Sequence, residues 1–279
     1  MKLIPLGCLT LFVAVHAGAQ APITPDKVIP LFNGKDLSTF VTWLAPSQHR
    51  DLDKVFTVVD QIDGAPAIRI SGQHWGGIAT KERYTNYRLV VEFRWGAVTW
   101  EPRKNRARDS GILLHCQGPF GNFKDDFTGP WLRSVEYQII EGGTGDIILV
   151  AGYDKKGGEK ISPELTATTD GLTKVWKPNG TPMKFAGVRI DWYGRDPSWK
   201  DVLGFRGAND VEKPPGEWNR IEITCDGGSV RNVLNGVVVN EGTHLSLSEG
   251  PLLFQSEGAE IYFRRIELHP LTSSRPSAK

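Results

Sequence analysis

Methionine is nearly missing from this chain, with two residues in 279, and cysteine is scarce, with three. An excess of either charge is missing as well: 33 Lys and Arg face 32 Asp and Glu, for a net charge of +1. Bulk electrostatics therefore give no reason to expect nucleic acid or an anionic membrane surface as a partner. Beyond the N-terminal segment no apolar run approaches the roughly 18 residues that a bilayer-spanning helix needs, so no membrane anchor is expected. The chain also lacks a P-loop, a dinucleotide fingerprint and a G-x-S-x-G elbow, and it carries no internal repeat or low-complexity tract. His49, His74, His115, His244 and His269 stand at no zinc-like spacing. No cofactor is called for by a motif, although a calcium site built from scattered loop carbonyls would leave no trace in a sequence.

What the chain does have is 31 glycines, 18 prolines, nine tryptophans and twelve phenylalanines. That composition favours many short strands joined by turns. The first residues, MKLIPLGCLTLFVAVHAGAQAP, place Lys2 before an apolar run from Leu3 to Val15 and then Ala17-Gly18-Ala19. This reads as a secretory signal over 1–19, cleaved after Ala19, so the mature chain is expected in the periplasm or outside the cell. Cys8 is a poor lipid-attachment site, because Pro5-Leu6-Gly7 leaves almost no apolar stretch before it. Cys116 and Cys225 each lie in a strand-like segment, LLHCQG and IEITCDGG, and spacing alone leaves open one disulfide or two buried thiols.

Period-two alternation recurs in KVFTVV, PAIRIS, GGIATK, YRLVVEFRWG, SGILLHCQG, SVEYQIIEGG and DIILVAG. Nearer the C-terminus, Asp226-Gly227 and Asn235-Gly236 are strong hairpin turns, and four or five more strands follow from them. More than ten strands in roughly 250 mature residues, without a convincing helical period, predict an all-β, two-sheet antiparallel sandwich of jelly-roll type. One such domain is expected over 28–271, after a leader at 20–27 and before a disordered tail at 272–279. Between Asp154 and Pro215 the pattern loosens into what read as long rim loops, with GVRIDWYG as an island strand.

The stretch VEYQIIEGG sets Glu136 and Glu141 five positions apart, with Gln138 between them. In the sandwich-glycosidase pattern E-x-D-x-x-E the middle acid tunes the nucleophile, and a glutamine cannot ionise. Moreover, without a bulge, alternation points positions 136 and 141 to opposite faces. A retaining pair is therefore disfavoured, and Gln138 suits a neutral sugar or ketone oxygen. In RARDSGILLHCQG, alternation turns His115 away from the apolar stripe of Ile112 and Leu114, making it a candidate acid or base. Arg94 shares a face with Glu92, and could stabilise an oxyanion or form a salt bridge. Gln255 and Glu257 lie on one side of FQSEG and could bind sugar hydroxyls, while Trp75, Trp100, Trp131 and Trp199 offer indole faces to a pyranose. The basic stretch PRKNRARD reads as a solvated loop.

Six segments in order are LFNGKDLSTF (31–40), NYRLVVEFRW (86–95), DSGILLH (109–115), EYQIIEGGTGD (136–146), GEWNRIEITCDGGSVRNVLNG (216–236) and GPLLFQSEGAEIYFRRIEL (250–268). Together they resemble the 3-keto-disaccharide hydrolase domain family, over roughly residues 28 to 271. The resemblance implies a concanavalin A-like jelly roll, a carbohydrate substrate, and cleavage of glycosides already oxidised to a ketone at C3. It departs from the family where members often have N-S-G and this chain has Asp109-Ser110-Gly111, and where many carry an arginine and this chain has His115. A C3 ketone acidifies the hydrogen at C2, so the bond can leave by elimination, followed by addition of water, without a nucleophilic carboxylate. On that route Glu136 or His115 is the expected base or acid, with Arg94 and Gln138 at the ketone or enolate oxygen and Gln255, Glu257, Glu141 and Trp131 around the sugar. A divalent cation could replace Arg94 as the electrophile. The rival readings are a carbohydrate-binding module without catalysis and a retaining endo-glycosidase using Glu136 and Glu141.

Overall fold

A computed structural model describes residues 21–271, so the signal at 1–19 and the tail at 272–279 expected from the sequence lie outside the described residues. Alternating apolar side chains force strands to share a buried face, and they do so in two large antiparallel sheets, with no helix among the described residues. The eight-stranded sheet runs Val237–Gly242, Ser229–Leu234, Asn219–Asp226, Tyr87–Thr99, Ala259–His269, Ala65–Ile70, Phe56–Ile62, with Ile29–Pro30 also paired to Ala259–His269. The seven-stranded sheet runs Arg189–Ile190, Ile147–Val150, Arg133–Ile140, Asp109–Gln117, Leu253–Ser256, Gly76–Thr80, Phe40–Leu44. The jelly-roll sandwich expected from the sequence is thus the observed fold.

The core between the sheets comes from alternate positions. Tyr87, Leu89, Val91, Phe93 and Trp95 face inward from one sheet; Ile112, Leu114, Val135, Tyr137, Ile139 and Phe254 face inward from the other. Phe254 meets Phe263 of the opposite sheet edge to face, with ring centroids 5.2 Å apart. Burying each such side chain stabilises the fold by about 1.5–3 kcal/mol. The turn at Asn235-Gly236 joins its strands as expected, whereas the other hairpin turns at Gly227-Gly228, one residue beyond the expected Asp226-Gly227, because Asp226 still pairs with Ser229; all four turn residues adopt positive φ.

Two sequence expectations need correction, and one open alternative is settled. The stretch 154–215 is not only loop: Glu164–Thr169 and Thr181–Ala186 pair over six residues. The basic stretch 102–109 is not uniformly solvated, because Arg103 is buried and bonds the Ala107 carbonyl and Asp201. Cys116 and Cys225 are both buried and free, which closes the alternative that their spacing left open.

Candidate active site

The face of the seven-stranded sheet turned away from the core carries a cleft of about 300 Å³. Alternation builds it: while Ile112, Val135, Tyr137 and Phe254 point into the core, Asp109, Glu136, Gln138 and Gln255 on the same strands point out. In the register, Gly111 lies opposite Gln138 and Leu113 opposite Glu136. A Cβ at Gly111 would collide with Oε1 of both Glu136 and Gln255, so the absence of a side chain there makes room for both. Glu257, just past the Leu253–Ser256 strand, closes one side, and Arg189 of the edge strand and Lys160 of a rim hairpin line the cleft as well. Trp131 forms a wall, stacked on Trp75 at 5.5 Å and met edge-on by Phe123 at 5.3 Å.

Few ion pairs offset the burial of these acids. Burial pushes the Glu136 carboxyl up to about 8; the Asp109 charge adds to this, while Arg189 and the Gln255 carboxamide pull it back. Burial likewise raises Asp109 to about 6, against the pull of Arg103, Arg189 and a hydrogen bond from Gln138. Glu257 is held well above the usual carboxylate range by burial and by the neighbouring Asp109 and Glu136. Gln138 donates from Nε2 to Asp109 Oδ1, and Arg103 Nη2 lies 3.3 Å from Asp109 Oδ2. Oε1 of the fully buried Gln255 has no hydrogen-bond partner. Orphaned buried acceptors are costly, and this one belongs to a residue that lines the cleft, where a ligand hydroxyl could satisfy it.

Of the residues singled out from sequence, the structure brings together Glu136, Gln138, Gln255, Glu257 and Trp131. It places three others elsewhere. His115 does not follow the alternation of its strand: the register shifts between Leu114 and Gln117, and His115 has φ +54°. The bulge turns its ring inward, where Nε2 meets the Tyr87 hydroxyl at 3.0 Å and Nδ1 the Leu247 carbonyl at 2.9 Å. Burial pushes its pKa down to about 4, although Leu247 and Glu249 oppose the shift. Arg94 stands on the outer face of the other sheet, paired with Asp63 at 2.6 Å and lying over the Trp218 and Tyr262 rings. Glu141 follows the end of its strand. It accepts from the Arg108 amide at 2.9 Å and the Gly204 amide at 3.0 Å and pairs with the Arg108 guanidinium, so Glu136 and Glu141 do not form a pair across one site.

Asp109, Arg189, Lys160 and Phe123 line the cleft although no role for them followed from sequence. Asp109 was within reach, because the alternation that links Gly111 and Leu113 extends back to it. Arg189 sits in the island strand, but its nearness to Glu136 depends on sheet order, which no local signal gives. Among the described residues no group of three His, Cys, Asp or Glu side chains is arranged to hold a metal ion. The cationic groups that line the cleft are Arg189 and Lys160.

The model of the 3-keto-alpha-glucoside-1,2-lyase-like domain matches residues 27–269. No curated protein matches the chain. Among solved structures, similarity extends to a Parabacteroides distasonis protein described as a glycosyl hydrolase, at 20% identity over 88% of this chain and 94% of that one, with a TM-score of 0.48. A carbohydrate-binding module of Bacillus subtilis is similar at 9% identity over 82% and 94%, with a TM-score of 0.41. A Bacillus licheniformis β-glucanase is similar at 10% identity over 87% and 96%, with a TM-score of 0.39.

Proposed function

The chain belongs to the 3-keto-alpha-glucoside-1,2-lyase-like domain family, and from that premise we propose that it cleaves the glycosidic bond of 3-keto-glycosides by elimination. The observation that carries this reading is the separation of two carboxyls in one cleft, Asp109 near 6 and Glu136 near 8. Environments that push two acids apart assign a base and an acid at neutral pH. Asp109, ionised and oriented by Gln138, takes the proton from C2 of the keto-sugar. The electron pair left at C2 is delocalised onto the ketone oxygen, and of the two cations lining the cleft Arg189, whose charge acts on both Asp109 and Glu136, is assigned to that enolate. As the enolate collapses to a C1=C2 double bond, the bond from C1 to the aglycone oxygen breaks, and Glu136, still protonated, gives that oxygen its proton. Addition of water across the double bond, hydroxyl to C1 and proton to C2, then completes a net hydrolysis. Arg189 thereby takes the part that the sequence alone suggested for Arg94.

The test compares aglycone release from matched glucosides with and without a ketone at C3, in deuterated water. Release from the keto-glucoside alone, with deuterium appearing at C2 of the product sugar, is the expected result. Release from the unoxidised glucoside without C2 exchange would overturn the proposal in favour of ordinary hydrolysis, and binding without turnover would favour a carbohydrate-binding module. The secretory signal expected over 1–19 adds the proposal that the chain works after export; an exported protein whose N-terminus is Gln20 would bear that out, and one that begins at Met1 would refute it.

A further inference from the structure

A second cavity, of about 460 Å³, adjoins the cleft, and Arg189 lines both. Its walls differ in chemistry from those of the cleft. Tyr193 presents a half-exposed ring, supported edge-on by buried Trp192 at 6.0 Å and tilted against Trp176 at 5.6 Å. Trp199 forms another wall, with the Arg195 guanidinium 4.4 Å from its ring centroid. Asp191 and Asp196 supply acceptors at the same cavity.

The pocket is built into the fold. A Cβ at Gly194 would collide with the Trp192 ring, and one at Gly142 with Phe205, with Trp199 close behind. Arg195 is fixed by Asp146 and by Asp191 at 2.9 Å, and Trp199 donates to the Glu141 carbonyl at 2.8 Å. The buried Glu141 thus helps to hold a wall of this second pocket. Flat apolar rings beside fixed charged groups match a pyranose, whose C–H face stacks and whose rim of hydroxyls hydrogen-bonds.

We infer that the pocket of Tyr193, Trp199 and Arg189 is an aglycone subsite, which takes the departing second sugar ring while the cleft of Asp109 and Glu136 holds the keto-sugar. The inference rests on the keto-glycoside reading for the identity of the first ring. It makes the chain selective for disaccharides over glycosides of small alcohols, and it locates that selectivity outside the carboxyl cluster.

The test measures kcat/KM for a 3-keto-disaccharide and for the methyl 3-keto-glucoside, in the parent chain and in Tyr193→Ala and Tyr193→Phe. The expected result is a ratio favouring the disaccharide that falls about five- to tenfold in Tyr193→Ala and is retained in Tyr193→Phe, which keeps the ring. Equal ratios in the parent and Tyr193→Ala overturn the subsite, as does equal loss on both substrates. If the parent cleaves neither substrate, the proposed function fails while the subsite is still decided, by calorimetric Kd values for the unoxidised disaccharide and methyl glucoside. Tighter binding of the disaccharide that Tyr193→Ala abolishes supports the pocket; equal affinities refute it.

Discussion

Asp109 and Glu136 can divide the work of base and acid only while one is ionised and the other is not. The rate of keto-glycoside cleavage should therefore follow a bell-shaped pH profile, with limbs near 6 and 8 that belong to the coupled set of carboxyls. Glu136→Gln should lose the alkaline limb and on the order of 10²–10⁴ in kcat, and Asp109→Asn a similar factor. A bell unmoved by either substitution would remove both residues from the chemistry. Gly111 has a complementary effect through the lack of a side chain. Gly111→Ala drives a methyl group against Glu136 and Gln255, and should lower kcat/KM at least tenfold at a stability cost of about 1–3 kcal/mol. Kinetics beside a thermal melt would show whether the catalytic loss exceeds what unfolding explains. A glycine's role of this kind cannot be read from one sequence, because SGILLH gives no hint of which side chains on neighbouring strands lean over it.

At the scale of strands, alternation was legible where the ladder is regular. In YRLVVEFRWG it puts Leu89, Val91 and Phe93 on the face opposite Glu92 and Arg94, and those three are buried. The same period puts Glu136 and Gln138, two positions apart, on one face and Gln255 and Glu257 on one side, and all four line the cleft. It failed at His115 because a bulge left no mark: the residue that takes positive φ is a histidine, where glycine or asparagine would have been a signal. It failed at Glu164–Thr169 because ELTATT flanked by glycine-rich turns looks like the loops around it. Glu141 shows how strand ends are tied. Its carboxylate holds the Arg108 amide, the Arg108 guanidinium and the Gly204 amide together. Removing one partner of a buried ion pair costs about 3–5 kcal/mol, so Glu141→Gln should lower stability in a denaturant titration by a sizeable part of that amount. A stability within 0.5 kcal/mol of the parent, taken as roughly the level of a neutral surface substitution, would show that the pair contributes nothing net.

At the scale of the whole molecule, buried acids set how stability varies with pH. Glu136 and Glu212 are both raised to about 8 from an ordinary 4.5, chiefly by burial, so between those values the folded state holds protons that the unfolded state has lost. Their stabilising contribution is fully present below 4.5 and is lost as pH rises through 8. His115 works in the opposite sense. With its pKa lowered to about 4 from 6.5, it stabilises the fold above 6.5 and loses that contribution as pH falls through 4. The acids therefore act unopposed by His115 between 6.5 and 8, where each changes stability by at most about 1.4 kcal/mol per pH unit. Melting temperature should fall across that window, and Glu212→Gln, whose carboxyl contacts Trp95 and Thr144 away from the cleft, should flatten the slope. A melting temperature that rises from 6.5 to 8 would contradict the account.

Arg189 lies on a strand of only two residues at the rim of its sheet, paired on one side by Ile147 and Ile148. Bonds on both flanks nevertheless tie it down: the Val188 carbonyl accepts from the Leu149 amide, the Asp191 amide donates to the Lys174 carbonyl, the Ile190 carbonyl accepts from Asn240, and Ile190 is buried in the core. The cation shared by the two cavities is thus carried by backbone that should open only rarely. Any occupant that bridges the cavities must suppress that opening, so slowed deuterium uptake at Arg189 and Ile190 would report occupancy even for a ligand that is never turned over.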